Sequence, residues 1–136
     1  MLTEGAETLP TARAATGRGE PSTNSPGDGV DLMPYLKGSA GDRPHDTLDW
    51  RSGPNWAIRE GDWKLIHAGD RYWLYDLSQD IGEQKNLAAE RPEIVEKLKN
   101  VYDRWNSEMI EPLWPPIGVK SSPSFAVDGV AIDWPV

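Results

Sequence analysis

The chain has 136 residues, 22 acidic against 14 basic, and a formal charge of -8; a surface of that sign repels phosphates, so nucleic acid is excluded as a partner. It has no cysteine, which excludes a disulfide framework, a thiolate metal site and a cysteine nucleophile together. No apolar run approaches the ~20 residues that a membrane span needs, and the first seven residues, with Glu4 and Glu7, lack the apolar core of a secretory signal.

The length fits one domain. Residues 1–27 are rich in Gly, Pro, Ser, Thr and Ala and read as a flexible N-terminal segment. Within them Leu9 to Thr16 is long enough for two helical turns, and Gly17, Gly19, Pro21 and Pro26 end any helix, leaving Arg18 to Gly27 as loop or disorder. Residues 28–46 read as a linker and docking loop, in which Leu32 to Leu36 forms a helical turn that docks through Leu32, Met33 and Leu36.

Four strands follow, at Thr47–Arg51, Asn55–Arg59, Asp62–His67 and Tyr72–Leu77, separated by Ser52-Gly53-Pro54, Gly61-Asp62 and Ala68-Gly69-Asp70-Arg71. Gly and Asp tolerate the backbone angles of a reversal, so the economical arrangement is an antiparallel meander. Side chains alternate across a strand: Trp63, Leu65 and His67 share one face, Lys64 and Ile66 the other. In the next strand Tyr72 and Leu74 oppose Trp73, Tyr75 and Leu77. Neither face is purely polar, whereas a sheet with one wet side alternates cleanly.

A helix from Pro92 to Met109 is the clearest element. Pro92 suits the first helical position, and Ile94, Val95, Leu98, Val101, Tyr102, Trp105 and Met109 recur at three- and four-residue steps as one stripe. Glu93 and Lys97 are spaced as a favourable i,i+4 pair, and Pro112, Pro115 and Pro116 stop the helix. The fold class is therefore α+β: a four-stranded antiparallel meander packed by one C-terminal helix, with irregular N- and C-terminal segments. Sheet and helix occupy 47–111, and 112–136 form an extended tail loosely tied by Trp114, Phe125 and Trp134. One helical stripe covers one sheet face. The other keeps Trp, Tyr and Ile side chains that nothing else in the chain obviously covers, a patch that marks an interaction surface.

Several motifs in order carry a family resemblance. Arg59-Glu60-Gly61-Asp62-Trp63-Lys64-Leu65-Ile66, then Leu74-Tyr75-Asp76-Leu77, then Asp80-Ile81-Gly82-Glu83-Gln84-Lys85-Asn86-Leu87-Ala88 resemble the C-terminal subdomain of sulfatases, with Ile81 where the family usually has Pro. Asp28 to Gly38 is similar to the linker into that subdomain, and Leu9-Pro10-Thr11 with Ala14-Ala15-Thr16-Gly17 to the end of the helix before it. The resemblance spans residues 8 to 114.

It implies a parent enzyme, a sulfuric ester hydrolase, in which a formylglycine made from the Cys or Ser of a Cys/Ser-x-Pro-x-Arg motif attacks the sulfate ester beside calcium. Both would come from a catalytic domain preceding this piece, its partner in cis, and the parent substrate would be a sulfated small molecule or glycan. This chain itself offers no catalytic residue, metal ligand or cofactor. Ser121-Ser122-Pro123-Ser124-Phe125 and Ser52-Gly53-Pro54-Asn55-Trp56 have Ser-x-Pro but an aromatic where Arg is required.

The resemblance also implies that loops of this subdomain reach toward the substrate; His45, Trp50 and Arg51 are the candidate substrate-binding residues, against a plain reading as a loop histidine and local strand packing. His67 reads as a structural residue. Asp46 and Asp49 are a conceivable acid/base couple but read more simply as solvated acids. Arg59 and Lys64, beside Glu60 and Asp62, read as turn ion pairs. Asp76, Asp80, Glu83 and Asn86 lack the spacing of a calcium loop and read as turn and cap residues, with Asn86 capping the Leu87-Ala88-Ala89 turn. Trp50, Trp56, Trp63 and Trp73 read as core, with a sugar-stacking platform as the functional option. The isolated chain is expected to be inactive, with a glycan- or protein-binding module as the alternative and an unstable, degenerate product as a third.

Overall fold

The structure, a computed structural model, describes residues 8–17, 29–110 and 125–132. The expected disorder of Arg18 to Gly27 and the ties through Trp114, Trp134 and the Phe125 side chain fall outside them. The chain divides into two compact units, 1–48 and 49–136, a division that its length does not announce.

In the first unit, α1 (Thr8–Thr16) ends where Gly17 takes a positive φ of 67°. A four-residue turn, α2 (Met33–Leu36), carries Pro34 in its first turn, where no intrahelical N–H is wanted. Asp31 Oδ1 accepts the Met33 N–H at 2.9 Å, and Thr11 Oγ1 in α1 accepts the Leu32 N–H at 2.9 Å, fixing α2 beside α1. Leu32 and Met33 are half-buried, whereas Leu36, also expected to dock, is 72% exposed.

The second unit is built on the predicted meander. β1 (Thr47–Ser52), β2 (Asn55–Glu60), β3 (Trp63–Ala68) and β4 (Arg71–Asp76) lie in the order β1-β2-β3-β4, with β2–β3 and β3–β4 antiparallel. Gly61 and Gly69 take φ of 59° and 58° at the two Gly-Asp reversals. A Cβ would meet nothing at either, so backbone conformation rather than space requires glycine there. The register pairs Leu65 with Ile58 and with Leu74, aligning the apolar residues of three strands on one face.

That face receives α3 (Pro92–Glu108). Val95, Leu98 and Tyr102 from the helix close a core with Ile58, Leu65 and Leu74, flanked by Trp56, Trp63, Tyr72, Ile94, Val101 and Trp105. The Tyr102 ring stacks on Trp56 at 4.0 Å and 7°. The Glu93–Lys97 pair does not form among the described residues. Lys97 instead pairs with Glu60 of β2, and Glu93 with Arg91 at 3.8 Å, because the helix lies close enough to the sheet for the longer reach to win.

The segment between β4 and α3 is held by the polar residues that punctuate it. Asp76 Oδ1 accepts from Ser78 N–H and hydroxyl, and Asp80 Oδ2 from Gln84 and Lys85 N–H at 2.7 and 2.8 Å. Asn86 does more than cap. Its Oδ1 accepts the Ala88 N–H at 2.9 Å and also the Leu74 N–H at 3.0 Å, while its Nδ2 donates to the Tyr72 carbonyl at 3.2 Å. Leu87 N–H then donates to the Leu74 carbonyl at 2.7 Å. Asn86-Leu87 thus completes the ladder along the outer edge of β4, where unpaired groups would otherwise face solvent.

The β3–β4 part of the second sheet face is covered, contrary to expectation. Within the stretch read as an extended tail, β5 (Phe125–Val127) and β6 (Val130–Ile132) form a hairpin. Ile132 joins Ala68, Trp73 and Tyr75 in a second buried cluster, with Val127 and Val130 packed beside Ile66 and Leu77. The turn is Asp128-Gly129, both at positive φ (49° and 72°), the backbone form that matches strand twist and favours this dipeptide.

Candidate functional site

Alternation along β1 decides the fate of Trp50 and Arg51, which as neighbours point to opposite faces. Arg51 lies on the α3 side. Its Nη1 donates to Asn106 Oδ1 at 2.5 Å and its Nη2 to the Ile110 carbonyl at 3.1 Å. The last turn of α3 contains no basic residue, so the cation that a helix C-terminus favours arrives from the sheet. Arg51 is therefore committed to the helix end. Trp50 is half-buried in the same unit, and His45 is half-buried in the loop of the first unit.

Asp49, two residues before Arg51, is the unexplained polar group of this face. It is only 7% exposed, and its Oδ1 is buried with no hydrogen-bond partner. Burial alone pushes its carboxyl up to about 6. The Tyr102 hydroxyl is pushed up to about 12, mainly by burial, with Arg51 opposing and Asp49 and Asp103 adding. Asp46 is exposed, so the two acids that the sequence paired have opposite environments. The reading of Asp49 as a solvated acid is corrected: its place under α3 follows from strand alternation once the helix side is known.

Around the same edge, Trp56, His67, Tyr72, Tyr102 and Trp105 form one aromatic group. His67 stacks on Trp56 at 5.2 Å and 26°, tilts against Tyr72 at 4.8 Å, and places Nδ1 3.3 Å from the Pro54 carbonyl. Lys99 Nζ stands 5.5 Å from the Tyr72 ring centre. His67 thus serves packing, as its position at a strand end suggests. The four tryptophans read as a possible platform do not share a surface: Trp56 and Trp63 pack toward α3, and Trp73 is buried on the opposite face.

Lys64 bonds Glu83 at 2.5 Å across the segment after β4, and Arg59 Nε donates to the Gly61 carbonyl at 3.1 Å. The cation pair at the β2–β3 turn thus serves loop closure, Lys64 through an acid nineteen residues on rather than a turn acid. Among the described residues no group of three or more His, Asp or Glu could hold a metal ion, and the chain has no cysteine; the residues described here do not fit a formylglycine–calcium centre. No helix among them is long and apolar enough to cross a membrane.

Two features were legible but missed. Asp128-Gly129 between valines is a strong short-range hairpin signal. Asn86, directly after Lys85 and before the apolar pair Leu87-Ala88, suits an edge clamp as well as a cap.

No protein-family model matches the chain. An uncharacterized sulfatase of Schizosaccharomyces pombe is 35% identical over 69 residues, covering 47% of this chain and 12% of that protein. Among solved structures, a putative sulfatase from Bacteroides thetaiotaomicron aligns with a TM-score of 0.60 and 26% identity over 74% of this chain and 24% of its own. A 2-O GAG sulfatase aligns with a TM-score of 0.58 at the same identity and coverage. The chain spans about an eighth of the curated relative and about a quarter of those structures.

Proposed function

We propose that the chain is the C-terminal portion of a sulfuric ester hydrolase and is not catalytic by itself. The observation that carries this is the likeness of its sheet and helix to solved sulfatases at 26% identity over three quarters of the chain. The motif residues have structural tasks in that fold. Gly61 turns the β2–β3 hairpin, Lys64 ties Glu83, and Asn86 seals β4. The nucleophile, the calcium and the residues that surround them belong to a preceding catalytic domain, the partner in cis. The parent substrate is a sulfated glycan, in keeping with a neighbour that is a 2-O GAG sulfatase.

His45 in the first unit and Trp50 in the second are each still proposed to face that substrate, whereas Arg51 is bonded at the end of α3. Assay of the purified chain on an aryl sulfate with calcium tests the first part, with no turnover expected and measurable turnover overturning it. Sequencing the DNA that precedes the Met1 codon tests the second, with a Cys/Ser-x-Pro-x-Arg coding sequence expected. Tight binding of sulfated glycans by the chain alone, with no such motif upstream, would favour a stand-alone binding module.

A further inference from the structure

We infer that the hairpin of residues 125–132 is a detachable strap over the second face of the sheet, opening as a unit while the meander and α3 stay folded. β5 and β6 pair with each other as a separate two-stranded sheet and are in no ladder with β1–β4. Two strands of three residues are marginal in water without packing, so side chains keep the strap closed. Ile132, 7% exposed, is its anchor, with half-buried Val127 and Val130 beside it. The alternate residues Ala126 and Ala131 face outward and add nothing. The Asp128 carboxylate lies beside the Tyr75 hydroxyl, a polar contact across the seam.

The sheet does not need the strap to hold together. Its strands are joined by their own ladders, and its larger core lies on the opposite face under α3. Residues 111–124, with four prolines and a glycine, separate α3 from the strap along the chain. When the strap lifts, Ile66, Trp73, Tyr75 and Leu77 are bared together. This device does not depend on the sulfatase reading.

Hydrogen exchange on the full chain at neutral pH tests it. Backbone amides of the hairpin should exchange at least about tenfold faster than those of Leu65 and Leu74, the mark of a separate opening unit. Ile132→Ala should speed hairpin exchange about tenfold more, leave Leu65 and Leu74 unchanged, and raise binding of an apolar dye. Tyr75→Phe, a milder change that keeps the ring, should act in the same direction and less. A single common exchange rate for hairpin and sheet, or equal acceleration of both by either variant, would overturn the proposal.

Discussion

The two faces of one sheet are covered by different means. On the first, a 17-residue helix contributes a stripe repeating every three or four residues, locked by Trp56 stacking on Tyr102 and by Lys97 reaching Glu60. On the second, two three-residue strands contribute Ile132 and a pair of valines, around Trp73 and Tyr75. The first cover follows the sheet closely in sequence and owes its order to many contacts; the second arrives from beyond a proline-rich stretch and owes its position to few. The apolar cluster on the helix side is also the larger of the two. The larger core and the longer element therefore lie on the helix side, and the hairpin is the cover proposed to open.

The largest expected effect sharpens this contrast. Leu98→Ala empties a fully buried site under α3 and should cost about 2–5 kcal/mol in the denaturant midpoint, as large-to-small core changes do. If it cost no more than Ile132→Ala, the two faces would be energetically equal and the distinction would fail. Asn86→Ala removes three hydrogen bonds that seal β4 and should cost about 1–3 kcal/mol. Its exchange signature should be faster exchange at Leu74 and Ala88, with the hairpin of residues 125–132 unaffected.

Asp49→Asn should act in the opposite direction. The Asp49 carboxyl titrates near 6 in the folded chain against an ordinary 3.8. A raised pKa means that its favourable, protonated contribution is complete below 3.8 and is lost as pH rises through about 6. At pH 7 the buried charge therefore costs on the order of 1–2 kcal/mol once solvent screening is allowed for. The variant should be more stable than the parent at pH 7 by that amount and nearly equal to it at pH 3.5. Paired denaturation curves at the two pH values would check it, and an equal difference at both would show that the carboxylate is not the cause.

Arg51→Ala should release the end of α3 at a cost of about 1 kcal/mol, seen as faster exchange at residues 106–110 with Leu98 unchanged. The smallest effect belongs to Lys97→Ala, whose largely exposed pair with Glu60 should be worth only about 0.2–1 kcal/mol, diminishing with salt.

Much of the sheet was legible because alternation is local. The register places Trp63, Leu65 and Tyr72, Leu74 toward the helix and Ile66, Trp73, Tyr75 away from it, as a two-residue period requires. The helix was legible for the same reason at its own period. The Asp128-Gly129 turn carried an equally local signal, yet its strands are so short that a proline-rich context obscured them. Asp49 was not legible: an acid in a strand reads as solvated until the helix that buries it is in place. Lys97 and Arg51 were misjudged likewise, since their partners, Glu60, Asn106 and Ile110, are far away in sequence.

What the amino-acid order determined by itself was every element whose cause lies within a few residues: the Gly-Asp reversals, the alternating strands, the amphipathic helix opened by Pro92, and the motif order shared with sulfatases. What only the tertiary structure decided was which distant groups meet: the hairpin over Trp73 and Tyr75, Arg51 at the foot of α3, and the buried Asp49 on the same face. The physical reason is range. Backbone preference and periodicity act along the chain, whereas burial, desolvation and ion pairing depend on what the folded chain carries to the same place.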